Sequence, residues 1–118
     1  MDTRKTILVY QYAERIKSEL IIASELLAKM LALRGDERTG AEKMMHAYLE
    51  ATVREIKMAQ NIEKSVNFVG AEKRIEEAMG RLKLTEYSEI KRCISEALSF
   101  ITTSCQAAMQ ALEKEQLL

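Results

Sequence analysis

The segment at residues 18–33, SELIIASELLAKMLAL, is the most apolar part of the chain and decides its fold. Apolar residues recur here and upstream in alternating steps of three and four, the spacing of one helical face. This first row is Val9, Ala13, Ile16, Leu20, Ala23, Leu27 and Met30. A second row along its flank is Leu8, Tyr12, Ile22, Leu26 and Leu33. Together the rows span an arc of about 160°, wider than one neighbouring helix can cover.

The sequence around this segment predicts a first helix over residues 3–34, followed by a polar turn at 35–40. Thr39 and Glu42 have the spacing of a capping box, in which each side chain bonds the other residue's amide. We therefore expect the second helix to open at Thr39. It carries its own apolar stripe toward Val66.

The phase of the apolar pattern changes beyond Gly70, by about 140° if one helix continued straight through. A straight helix cannot bury both stripes in one core, so the sequence predicts a turn at residues 67–70 and a short third helix of about 12 residues. Thr85 is then expected to cap a fourth helix that runs to about Gln116. The predicted fold is a single all-α domain over residues 1–118, an antiparallel four-helix bundle with three long helices and one short one.

Charge and composition exclude several classes of function. Lys and Arg together number 18, as do Asp and Glu, and the two signs are interspersed, so no basic cluster for nucleic acid is present. No apolar run approaches the length of a membrane span. Cys93 and Cys105 would lie about 18 Å apart on one helix, too far to bridge. A reduced, cytoplasmic setting is expected, and the charge-rich helices, few Asn residues and short loops favour a thermophilic source.

His46 is the single histidine, with Glu42 and Glu50 one helical turn away on either side. Such a trio could ligate a metal, but a di-iron bundle needs two Glu-x-x-His pairs and further glutamates. The sequence has neither these pairs nor a Gly-rich phosphate loop. We expect His46 to be a surface residue and expect neither metal nor cofactor.

Two glutamates, Glu55 and Glu63, fall on the otherwise apolar side of the second helix. Desolvated carboxylates are candidates for acid–base chemistry because burial raises their pKa. The commoner explanation is a position at the edge of the core, or an ion pair with a neighbouring helix. Arg15 and Glu19, beside the first stripe, are the predicted pairing partners.

The sulfur-containing residues are expected to pack rather than react. Free cysteine usually behaves as a small apolar side chain, and nothing in the sequence places His46 beside Cys93 or Cys105. The seven methionines are expected mainly as core fill, with an adaptable binding surface as the alternative.

The width of the apolar arcs on the first and fourth helices carries the functional prediction. A short third helix cannot cover both, so exposed apolar surface should remain and mark an interface. We predict a non-enzymatic homodimer, or a protein that binds another protein. The interface is predicted to draw on Leu8, Ile22, Leu26, Leu33, Ile94, Leu98 and Ile101. The alternative is an enzyme or ligand-binding bundle with a polar site at His46, Glu55 or the cysteines.

Overall fold

The computed structural model describes residues 2–118, which form four α-helices and no strand. In chain order they are α1 (Thr3–Leu31), α2 (Gly35–Ile62), α3 (Val66–Lys83) and α4 (Tyr87–Lys114). Helix α1 packs against α2 and α4, and α3 packs against the same two helices, as in a bundle. The molecule measures 53 × 21 × 18 Å along its principal axes. The all-helical prediction is confirmed.

The core is aliphatic and runs the length of the molecule. Every member of the first apolar row on α1 is buried, as its helical spacing predicts. From α3 the core receives Phe68, whose ring is fully buried, and from α4 it receives Ile94 and Ile101. Because all four helices contribute to one cluster, each helix turns one face inward and keeps its flanks for neighbours or solvent.

The first turn departs from the prediction. Helix α1 ends at Leu31 and α2 begins at Gly35, so Thr39 lies inside the first turns of α2. The Thr39 hydroxyl donates to the carbonyl oxygen of Gly35 at 3.3 Å. The predicted capping box is wrong because the Arg38 guanidinium organises this turn. It donates to the Leu31 and Leu33 carbonyl oxygens at 2.7 and 2.8 Å and satisfies acceptors left open at the end of α1.

The second turn exists but lies earlier than predicted, at residues 63–65 rather than 67–70. Ser65 caps α3, because its side-chain oxygen accepts the backbone N–H of Phe68 at 3.1 Å. Helix α3 consequently has 18 residues rather than about a dozen. Gly70 lies within this helix, where a Cβ atom would fall 2.7 Å from Cζ of Phe100. Gly70 therefore serves close packing between α3 and α4, not a turn.

Thr85 was expected to cap α4, and this prediction is wrong. Its backbone is left-handed, with φ of 57°, and it terminates α3 instead. The N–H of Thr85 donates to the Leu82 carbonyl and that of Glu86 to the Arg81 carbonyl, at 3.1 and 3.0 Å. This pair of bonds is the Schellman motif, which normally places glycine at the left-handed position. Helix α4 then runs to Lys114, short of the predicted end near Gln116.

Candidate interaction surface

The second apolar row of α1 lies on the flank that faces α2, and it remains partly open to solvent. Ile22 and Leu26 are 44% and 37% exposed, although the core of the chain is already filled. Leu8 and Leu33 are half-buried. These four predicted interface residues therefore share one surface of the molecule.

The residues predicted on α4 are placed differently. Ile94 and Ile101 are 1% and 0% exposed, so both belong to the core and cannot contact a partner. Leu98 is half-buried and packs against that core. The prediction is wrong for Ile94 and Ile101 because both lie on the face of α4 that turns toward the core shared by all four helices.

A matching stripe on α2 was missed by the sequence analysis. Met44 is 73% exposed and Met58 is also exposed, so neither is core fill, whereas Met45 is buried. The stripe repeats in steps of three and four and consists of Ala41, Met44, Tyr48, Ala51, Glu55, Met58 and Ile62. The spacing marks these residues as one helical face, but the sequence does not show whether that face is buried or exposed.

The two stripes border an apolar groove between α1 and α2. Near the α1–α2 turn it deepens to a hollow of about 350 Å³. Its lining is Leu26, Lys29, Met30, Leu33, Ala41, Met44, Met45 and Tyr48. Lys29 is the only charged residue in this lining, and its long side chain can keep its ammonium in water. We call the surface formed by the two stripes the α1/α2 face.

A polar cluster occupies the middle of the α1/α2 face. The Arg15 guanidinium pairs with the Glu55 carboxylate at 3.1 Å, so the predicted partner of Glu55 is found. Arg15 also lies over the ring of Tyr12, 5.4 Å from its centroid. Glu19 lies beside this pair, and its Oε1 atom is buried without a hydrogen-bond partner among residues 2–118.

The electrostatics of the cluster follow from burial. Desolvation is the main cause that raises the pKa of the Glu19 carboxyl, and the charge of Glu55 adds to the rise while Arg15 opposes it. Desolvation, and then the charge of Glu19, raise the pKa of the Tyr48 hydroxyl. The Arg15 guanidinium pairs with Glu55 alone, and Glu19 is the carboxylate of the cluster left without an ion pair in the described part of the chain.

His46 lies elsewhere, at the end of the bundle where the α1–α2 and α3–α4 turns meet. It lines an open hollow of about 380 Å³ together with Thr39, Glu42, Lys43, Leu82, Lys83 and Thr85. Glu42 accepts a hydrogen bond from the Tyr87 hydroxyl at 2.5 Å. Its carboxylate is therefore already engaged. No group of three or more metal-ligating side chains occurs within residues 2–118.

The cysteines are placed as structural residues. The Cys105 thiol lies 2.9 Å from the Glu14 carboxylate, and burial, followed by this hydrogen bond, raises the pKa of Cys105 to about 11. Burial also raises the pKa of the Cys93 thiol. A nucleophilic cysteine needs the opposite shift, toward the thiolate. Glu63, the other candidate carboxylate, ends α2 and lines a small hollow at the far end of the bundle.

Comparison of the chain with family models, with curated proteins and with solved structures found no match. In the described residues, no helix has both the length and the apolar character needed to cross a membrane. The α1/α2 face is where exposed apolar side chains gather beside a filled core.

Proposed function

We propose that the protein acts by self-association, with two copies binding through their α1/α2 faces to form a non-enzymatic homodimer. The observation that carries this proposal is the apolar groove, where Leu26 and Met44 stay exposed beside a complete core. An exposed apolar patch of this kind generally marks a protein interface. Each fully buried Leu, Ile or Met would contribute about 1.5–3 kcal/mol before the costs of association.

A second copy is the occupant that the charges favour. The centre of the α1/α2 face carries both signs, with Arg15 beside Glu19 and Glu55, so the face can meet its own copy with opposite charges in contact. The chain has a formal net charge of zero, which removes long-range repulsion between copies. Twofold dimers are also the commonest closed assembly of identical chains.

This function uses an antiparallel bundle of three long helices and one shorter helix. Thr3, at the start of α1, donates to the Glu115 carboxylate just beyond α4, at 2.7 Å, as antiparallel neighbours would allow. Antiparallel α1 and α2 would run their stripes side by side along the groove. We also propose a reducing, cytoplasmic setting, which free Cys93 and Cys105 support.

The molar mass in solution tests the proposal directly. Multi-angle light scattering at micromolar concentration should give twice the chain mass of 13.5 kDa. A mass that stays near 13.5 kDa across the micromolar range would reject self-association. No cofactor needs to be added for this measurement.

A matched pair of variants locates the interface. Leu26→Glu should convert the dimer to a folded monomer, because Leu26 lies on the α1/α2 face and its partial exposure tolerates a charge. Ile21→Glu is the control, since Ile21 is similarly exposed on the same helix but lies on its other flank. Dissociation by Ile21→Glu, with Leu26→Glu still dimeric, would place the interface elsewhere.

A further inference from the structure

The second apolar row of α1 and the charged residues Arg15 and Glu19 between its two halves form one stripe, and this stripe is symmetric about position 17. Counting outward from position 17 gives Arg15 and Glu19, then Tyr12 and Ile22, then Leu8 and Leu26. Reversing the helix about this point exchanges apolar side chains for apolar ones and a guanidinium for a carboxylate. Two such stripes laid antiparallel on each other would therefore match from position 8 to position 26.

The stripe on α2 is symmetric about position 53. Outward from that point it places Ala51 opposite Glu55, Tyr48 opposite Met58, and Met44 opposite Ile62. Apart from the central pair, each exchange again replaces one apolar side chain by another. Polar groups thus fall at the centre of both stripes, and apolar groups fall toward both ends.

The two centres lie at the same height on the molecule. Arg15 bonds Glu55 across the groove, so position 15 of α1 is level with position 55 of α2. In antiparallel neighbours, position 17 is then level with position 53, because each step up one helix is a step down the other. One twofold axis can pass through both centres, as a dimer with a self-complementary face requires.

We propose that this axis crosses the α1/α2 face at the level of Lys17 and Val53, perpendicular to the helices. Helix α1 then packs antiparallel on α1 of the second copy, and Arg15 of each copy binds Glu19 of the other. This inference rests on the proposed self-association and adds its symmetry, its register and its central contacts.

The central contacts account for the state of both side chains. The Glu19 side chain is only partly buried and forms no ion pair within residues 2–118, so its carboxylate can accept a donor from the second copy. The Arg15 side chain is 56% exposed, and both of its hydrogen bonds to Glu55 are donated by Nη1. An arginine carries further N–H donors on Nη2 and Nε, and these can bind a carboxylate of the second copy without breaking the pair with Glu55.

A charge exchange tests the contacts. Glu19→Arg alone would set two guanidinium groups against each other at both symmetry-related contacts, and Arg15→Glu alone would do the same with carboxylates. Each variant should dimerise at least about tenfold more weakly at low salt. An equimolar mixture of the two should recover the unmodified affinity within about threefold, because both contacts again join opposite charges.

The mixture separates interface effects from folding effects, since each chain carries the same folding cost alone and mixed. Glu25→Arg, at an exposed position of α1 off the stripe, is the matched control and should leave the dissociation constant unchanged within about twofold. Analytical ultracentrifugation gives the constants, and circular dichroism shows that each variant is helical. A mixture no tighter than its components would overturn the assigned contacts.

Disulfide trapping tests the register independently. Chains with Leu8→Cys mixed with chains with Leu26→Cys should form a covalent heterodimer under mild oxidation, because the axis sets these positions opposite each other. Either chain alone places its two copies of the new thiol about 27 Å apart along the helix, out of reach. Leu8→Cys mixed with Leu33→Cys is the control, displaced by about 10 Å.

The outcomes distinguish this inference from the function on which it rests. A dimer by light scattering that neither recovers affinity in the charge exchange nor forms the Leu8–Leu26 disulfide would overturn the axis and leave self-association standing. A monomeric unmodified protein would reject both. Recovery together with selective trapping would establish the antiparallel register.

Discussion

Gly70 and Gly80 lie in the same helix, and the same substitution should affect them in opposite directions. Alanine is favoured over glycine inside a helix by about 1 kcal/mol. At Gly80 a Cβ atom would meet nothing within 4 Å, so Gly80→Ala should raise the free energy of unfolding by about that amount. At Gly70 it would fall 2.7–2.9 Å from three atoms of the Phe100 ring, closer than side-chain carbons approach.

Relief of that overlap requires the Phe100 ring to move, and overpacking of this kind costs about 1–3 kcal/mol. Set against the gain in helix propensity, Gly70→Ala should be neutral to about 2 kcal/mol destabilising. The free energies of unfolding of the two variants should therefore differ by about 2 kcal/mol, with Gly80→Ala the more stable. Urea denaturation followed by circular dichroism measures this difference.

Phe100→Ala provides the internal check. With the ring removed, Gly70→Ala should become stabilising by about 1 kcal/mol, as at Gly80. A double-mutant cycle of positions 70 and 100 should thus show a coupling energy of about 1–3 kcal/mol. If Gly70→Ala stabilises the otherwise unmodified protein as much as Gly80→Ala does, then Phe100 does not restrict this site and the packing explanation is refuted.

Two further substitutions test the helix cap and the polar cluster. Ser65→Ala should lower the free energy of unfolding by about 1 kcal/mol, because the Ser65 side chain caps α3 at the Phe68 amide. Thr39→Ala should change it by less than half as much, because Thr39 caps no helix. Equal losses in urea denaturation would contradict the assigned caps. Because burial raises the pKa of Glu19, its charge destabilises the monomer fully above that raised pKa, and the penalty fades as the pH falls toward the ordinary carboxyl value of about 4. Glu19→Gln should therefore stabilise a dilute, monomeric sample near neutral pH but not near pH 4, and a gain that is independent of pH would refute this reading.

The core of α1 was predictable because a buried helical face leaves a periodic trace. Its whole first row, from Val9 to Met30, is buried as its spacing predicts. Turn positions were harder, because the residues that form them compete. Gly70 resembles a turn residue in the sequence, yet Ser65 caps α3 five positions earlier. The close approach of Phe100, which explains the glycine, is a contact across 30 positions that no local pattern reveals.

The surface was predicted in part for a related reason. Ile22 and Leu26 were identified because they widen the apolar arc of α1 beyond what one neighbour covers. Ile94 and Ile101 were assigned to the interface because α3 was predicted too short to complete the bundle, whereas both lie in the core that all four helices form. The exposed stripe of α2 was missed, because a methionine at helical spacing looks the same whether it faces the core or solvent. Only the packing separates Met44 from Met45.

The Glu19 carboxylate of the polar cluster does not stabilise the single folded chain. A buried polar atom without a hydrogen bond costs about 1–3 kcal/mol, and Oε1 of Glu19 is such an atom in the described chain. Leucine at this position of the stripe would avoid that cost and extend the apolar groove. The Glu19 carboxylate lies two positions from the centre of the symmetric stripe, and Arg15 lies two positions away on the other side. This pair of charges fixes one register between the α1 helices of the two copies. An apolar seam alone would let two helices slide by a turn, whereas opposite charges at its centre oppose that slip. The Glu19 side chain thus lowers the stability of the single chain and at the same time specifies the register of the proposed dimer.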